Sequence, residues 1–149
     1  MPKIKRILVP VDFSEPSLAA LRFAIDLART LKARLEIVHV VEAVTYAPMI
    51  GSAVDLDKFR EQQEHAAERR LAGLAADLRR QRVRCRTVLR IGAAPSTIVD
   101  LAKRSGADLI VMATAGRHGV GRLLLGSVAE RVVRSAECPV LTVRAPASA

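Results

Sequence analysis

The chain is poor in aromatic residues, which fill 3% of its 149 positions and include no tryptophan. Phe13, Phe23, Tyr46 and Phe59 stand apart from one another and far from the densest run of basic residues. No stacking platform for single-stranded nucleic acid is therefore present. Cysteine is equally scarce. Cys85 and Cys138 lie 53 positions apart, form no CxxC pair, and have only His39, His65 and His118 for company. Neither a disulfide framework nor a zinc site follows from that set. The two thiols are expected to pack as small apolar groups, His39 to be buried or at an interface, and His65 to be wet. No apolar run approaches the roughly 20 residues of a membrane span. Ile7–Val11 is too short for a signal-peptide core and is ended by Asp12. These absences suggest a reduced, cytoplasmic setting. Ser-His-Asp and Cys-His constellations, a metal cluster and paired catalytic carboxylates are also missing, so an efficient hydrolase has no visible machinery.

Half of the residues are hydrophobic, enough for one ordinary domain spanning 1–149, with 145–149 as a frayed tail. The balance of 24 Lys and Arg against 15 Asp and Glu leaves a formal charge of +9. Nineteen of the basic residues are arginine, scattered through the chain, with six in Arg79–Arg90. Scatter without aromatics argues against a nucleic-acid partner.

Ile7–Val11 is an unbroken apolar run, the pattern of a strand buried on both faces, and Asp108–Ala113, apolar after its first residue, reads as the fourth strand. Arg34–Val41, Arg84–Leu89 and Pro139–Val143 complete five strands. Between them the spacing of apolar residues predicts helices. The first starts with Ser14 as its cap, Glu15 and Pro16 in its first turn, then Leu18, Leu21, Ile25 and Ala28. A long loop, Glu42–Val54, precedes a helix over about Asp55–Arg80. A short helix carrying Ile98, Leu101 and Ala102 closes at Ser105-Gly106. The last, to about Ala136, begins at Ser127-Val-Ala-Glu130, a capping box in which the Ser127 hydroxyl takes the Glu130 N–H. Arg82, Arg84 and Arg86 alternate with Val83 and Cys85, so they are expected on one face of an edge strand, guarding it against unwanted pairing. Strands alternating with helices give an α/β fold: an open parallel sheet with helices on both faces.

Such sheets bind ligands outside the carboxyl ends of their strands, where the winding reverses. With strand one central and strand four beside it, that point joins Asp12 to Ala113–Gly116. Gly116, Gly119, Gly121 and Gly126 are half of the chain's glycines and precede a helix whose free N–H groups attract an anion. Gly121–Ser127 has the spacing of a P-loop but lacks its lysine, and the dinucleotide fingerprint fails at Leu124. Asp12 can also act as the turn or cap residue of the first helix, and Ser127 as a structural cap. Arg117, His118 and Arg122 could neutralise phosphate charge, though solvated loop side chains are the commoner case.

The span Met112–Arg131, with Ile7–Asp12 at the front and Cys138–Arg144 at the end, resembles the universal stress protein family of UspA type. Its ATP-binding members carry G-x2-G-x9-G-[S/T]. Here Gly116, nine residues and Gly126-Ser127 match the longer part, and the first glycine falls on Ala113. Alanine there costs little at negative φ, and about 1–2 kcal/mol if a left-handed conformation is required. The resemblance implies a Rossmann-like, adenine nucleotide alpha hydrolase-like sheet in the order 3-2-1-4-5. It implies ATP, with Mg²⁺ through its phosphates, at the carboxyl ends of strands one and four. Val11 and Asp12 would flank the adenosine, Val40 would meet adenine, and Met112 and Ala113 would line the pocket. Gly116, Gly126, Ser127 and Val128 would cradle the phosphates. It also implies a homodimer through the last strand, Val140, Leu141, Thr142 and Val143, and a nucleotide-dependent role in stress response or regulation with protein partners. A nucleotide-free dimeric interaction protein and a slow ATPase are the alternative readings.

Overall fold

A computed structural model describes residues 2–42, 53–115 and 125–145. Its elements are β1 (Arg6–Pro10), α1 (Glu15–Leu31), β2 (Arg34–Val41), α2 (Ala53–Arg80), β3 (Cys85–Ile91), α3 (Ala94–Ser105), β4 (Leu109–Ala113), α4 (Ser127–Ser135) and β5 (Val140–Val143). The five strands form one sheet in the order β3-β2-β1-β4-β5, and each neighbouring pair is parallel. This is the architecture and the strand order expected from the sequence.

Side chains alternate across a strand, so each apolar run feeds two cores. On one face Ile7, Val9, Leu35, Ile37, Leu109 and Val111 pack against Leu21, Ile25 and Ala28 of α1 and Leu71 and Leu78 of α2. On the other, Leu8, Val38, Ile110 and Met112 pack against Ile98 and Leu101 of α3 and Ala129 and Val132 of α4. Leu8, Ile37, Val38, Ile110 and Val111 have no accessible surface. Burying each such side chain contributes roughly 1.5–3 kcal/mol, which fixes β2, β1 and β4 in the interior of the sheet.

The termini of α1 and α3 follow local chemistry. Ser14 caps α1, its hydroxyl accepting the Ser17 N–H at 3.3 Å, and α3 closes on Gly106 at φ 65°. α4 departs from expectation. Its cap is Gly126, without a side-chain cap bond, and Ser127 is the first helical residue, exposed. Glu130 consequently sits one position too far along for a capping box; its N–H bonds the Gly126 carbonyl at 2.9 Å and its carboxylate pairs with Arg134 at 2.8 Å. Arg82 also departs. It lies not on β3 but in the turn closing α2, at φ 57°, with its N–H on the Arg79 carbonyl at 3.0 Å. Of the loop expected at Glu42–Val54, residues 43–52 lie outside the described residues, as do Gly116, Arg117, His118, Arg122, Tyr46 and most of the expected tail.

Candidate functional site

The winding of the sheet reverses between β1 and β4, and outside their carboxyl ends lies the crevice where open parallel sheets bind ligands. The chain leaves β1 through Val11, whose N–H donates to the Val38 carbonyl at 2.8 Å. It then turns sharply. The Asp12 carboxylate accepts the Ser14 N–H at 2.9 Å and also bonds the Ser14 hydroxyl, while the Asp12 N–H donates to the Ser17 hydroxyl at 3.2 Å. Ser17, the one buried polar side chain among the described residues, passes the network on by donating to the Ser14 carbonyl at 3.0 Å. Asp12 is therefore a turn residue held from both sides, half-buried at the mouth of the crevice.

Phe13 takes φ 62°, a left-handed conformation that costs a residue with a side chain about 1–2 kcal/mol. Its ring is braced on two sides. His39 of β2 lies 4.9 Å away, ring to ring, and the Arg70 guanidinium of α2 sits 5.1 Å from the ring centre. The His39 Nδ1 is 2.7 Å from the Val11 carbonyl, so that nitrogen carries a proton and donates it. His39, expected to be buried or at an interface, is half-buried and ties the end of β2 to the end of β1. Sequence reasoning missed Phe13, Ser17 and Arg70 as supports of this turn. The only local signal is the D-F-S spacing, in which an aspartate two residues before a serine can form a side-chain turn.

The second wall is the end of β4. Met112 and Ala113 are 5% and 9% exposed. Ala113 is not among the residues with positive φ, so alanine carries no left-handed penalty there. Beyond it, Thr114 receives a bond at each backbone group: its N–H donates to the Val143 carbonyl at 3.1 Å and its carbonyl accepts the Gly126 N–H at 2.6 Å. This last bond draws the start of α4 onto the end of β4. A Cβ on Gly126 would lie 3.0 Å from the Thr114 oxygen and 3.5 Å from the Ala115 Cα, and Gly126 itself is at φ −59°. Glycine is favoured at this position by close approach, not by dihedral angle.

The structure therefore brings Val11, Asp12, Val40, Met112, Ala113, Gly126, Ser127 and Val128 to one end of the sheet. Gly116 lies outside the described residues. Val40, Met112 and Val128 share the core on the α3 and α4 side, while Val11 belongs to the opposite one. At the start of α4 the backbone amides of the first turn lack intrahelical partners, and the Ser127 hydroxyl is not spent on capping. A cradle of small residues, unpaired amides and one hydroxyl at a helix N-terminus matches the needs of a phosphate. Among the described residues no group of three or more His, Cys, Asp or Glu side chains could hold a metal ion, and none of their helices is long and apolar enough to cross a membrane.

Comparison with known proteins shows the family and the fold. The Universal stress protein family matches residues 3–144. A universal stress protein of Methanocaldococcus jannaschii is 35% identical over 144 residues, covering 95% of this chain and 83% of that protein. Among solved structures, the universal stress protein UspA of Lactobacillus plantarum is similar with a TM-score of 0.74 and 28% identity, over 97% of this chain and 100% of that one. Two more share the fold. One is a universal stress protein in complex with cAMP, with a TM-score of 0.68 at 24% identity over 95% of this chain and 98% of that one. The other is an Arabidopsis thaliana family protein with AMP bound, with a TM-score of 0.68 at 19% identity over 96% and 93%.

Proposed function

This chain belongs to the universal stress protein family, and from that premise we propose that it binds an adenine nucleotide, ATP foremost, outside the carboxyl ends of β1 and β4. The observation that carries the reading is the contact of Gly126 with the Thr114 carbonyl. It holds the open first turn of α4 beside the ends of the central strands, where an anion gains from unpaired amides and from the helix dipole. The two fold neighbours named with AMP and with cAMP support a nucleoside phosphate as the occupant.

In this reading Val11 and Asp12 flank the adenosine, with the Asp12 carboxylate near the ribose, and Val40 meets adenine through its main chain. Met112 and Ala113 line the pocket, and Gly116, Gly126, Ser127 and Val128 cradle the phosphates. Mg²⁺ would add charge neutralisation at those phosphates, accompanying the nucleotide. The protein acts as a regulatory module. A nucleotide can switch it only by binding one conformation more tightly than another. A second copy of the chain, paired through β5, is part of the same proposal.

Calorimetric titration of nucleotide-stripped protein with ATP and Mg²⁺, and separately with AMP and cAMP, tests this reading. Micromolar affinity, about −8 kcal/mol, is the expected result, with a loss of tenfold or more in Gly126→Ala. Absence of binding up to millimolar nucleotide, about −4 kcal/mol, would overturn it.

A further inference from the structure

The two edges of the sheet differ in charge, and the basic one is not explained by a nucleotide site. Two adjoining clefts, of about 280 and 510 Å³, run along the β3 side of the molecule. They lie away from the carboxyl ends of β1 and β4. Arg6, Arg34, Arg84, Arg86, Arg90 and Arg104 line them, against only two acids, Glu36 and Asp100. The reason for the concentration lies in the pleat. Even-numbered positions of β1, β2 and β3 point to the α3 and α4 side, as Leu8, Val38 and Val88 show. Helix α3 packs on β2 and α4, while α2 covers β3 from the opposite face. The even-numbered side of β3 is left exposed at Arg86 and Arg90, as is Arg84 just before the strand.

The backbone of that strand is open as well. Leu35 N–H donates to the Arg84 carbonyl at 3.0 Å and Gly92 N–H to the Val41 carbonyl at 3.1 Å, so even-numbered residues turn their backbone groups towards β2. Cys85, Thr87 and Leu89 turn theirs outward. Among the described residues no strand pairs with this edge. An edge of this kind accepts an added strand, with main-chain bonds for affinity and alternate side chains for specificity.

The sheet already contains a template for the specificity. Glu36 of β2 stands opposite Arg86 in register and bonds it at 2.9 Å. Arg90 stands opposite Val40, and among the described residues neither Arg84 nor Arg90 has a carboxylate partner. Arg86 and Arg90 of β3, with Arg84 one residue before the strand, all occupy even-numbered positions, with Val88 between the last two; side chains at such alternate positions repeat about every 6.8 Å, as do those of an added strand. We propose that the open edge of β3 docks an extended acidic segment of a partner protein, carrying Asp or Glu at alternate positions, as a sixth strand. The same arginines keep out a second copy, because two β3 edges would set arginine against arginine. Single-stranded nucleic acid is disfavoured because no aromatic side chain lines the clefts.

The test is fluorescence anisotropy with a labelled nine-residue peptide bearing glutamate at alternate positions and threonine or valine between. A scrambled peptide of identical composition and a single-stranded DNA oligonucleotide are run beside it. The alternating peptide is expected to bind at least tenfold more tightly than either. Thr87→Pro removes one outward N–H and leaves every bond to β2 in place; it is expected to weaken binding tenfold or more, as is the double change Arg84→Glu with Arg90→Glu. Should Thr87→Pro not fold, amide shift mapping on the unaltered protein replaces it, with the changes expected at Cys85, Thr87 and Leu89. Equal binding of both peptides, tighter binding of DNA, no binding, or shifts elsewhere would each overturn the proposal.

Discussion

Replacing the hydrogen of Gly126 by a methyl group would put a carbon 3.0 Å from the Thr114 oxygen, a backbone atom that β5 and α4 hold in place. Overpacking of this kind costs about 1–3 kcal/mol. Against it stands the lower chain entropy of unfolded alanine, which returns about 0.4–1 kcal/mol where φ is compatible, as −59° is. The first effect wins. Gly126→Ala is expected to be destabilised by about 1 kcal/mol, read as a lower urea midpoint with unchanged slope. The thiols behave as the sequence suggests, as small groups packed at the rims of the two cores. Burial pushes the Cys85 thiol above its ordinary pKa, only partly offset by Arg79, and burial raises Cys138 as well. A raised thiol pKa favours the folded state while the thiol is protonated; that contribution is complete below the unfolded-chain pKa and lost as pH rises through the folded one. Urea midpoints of the native protein should therefore fall from neutral to alkaline pH more steeply than those of Cys85→Ala. Equal slopes would contradict the assignment.

At the scale of elements, the two serine caps exchange importance relative to the sequence reading. Ser14 is a true cap of α1, and Ser14→Ala is expected to cost about 1 kcal/mol. Ser127 begins α4 without capping it, so Ser127→Ala should leave stability within about 0.5 kcal/mol while lowering nucleotide affinity. Thermal melts and titrations of the two variants separate these roles. The true start of α4 was not legible, and the sequence suggested a capping box that does not form, because the frame of this helix is set at long range. The bond from Gly126 to Thr114 fixes where α4 begins, and no local pattern records it. The turn at Arg82 is a similar case. Its left-handed residue is an arginine, so the usual glycine signal is absent. By contrast β1 and β4 were legible as unbroken apolar runs, since burial on both faces leaves no position for a polar residue. The turn at Asp12 was legible in part. Its aspartate and serine are local signals, but Ser17, His39 and Arg70 reach it through the fold.

At the scale of the whole molecule, one sheet has two edges of different character, one basic and one uncharged. The β3 edge carries exposed Arg84, Arg86 and Arg90, whereas β5 has no charged residue from Val140 to Val143. An unguarded, short, apolar edge is open to a second copy of itself across a two-fold axis. Ile110 N–H bonds the Pro139 carbonyl and Thr114 N–H the Val143 carbonyl, so odd-numbered residues of β5 face β4, and Val140 and Thr142 turn their backbone groups outward. Thr142→Pro removes one of those outward donors and leaves the β4 ladder whole, a position where a strand tolerates proline. Sedimentation velocity is expected to show a concentration-dependent dimer for the native chain and a monomer for Thr142→Pro, with matching circular dichroism. Thr87→Pro, on the basic edge, should leave the dimer unchanged. A native chain that stays monomeric at every concentration, or a Thr142→Pro variant that still dimerises, would show that this edge is not where two copies meet.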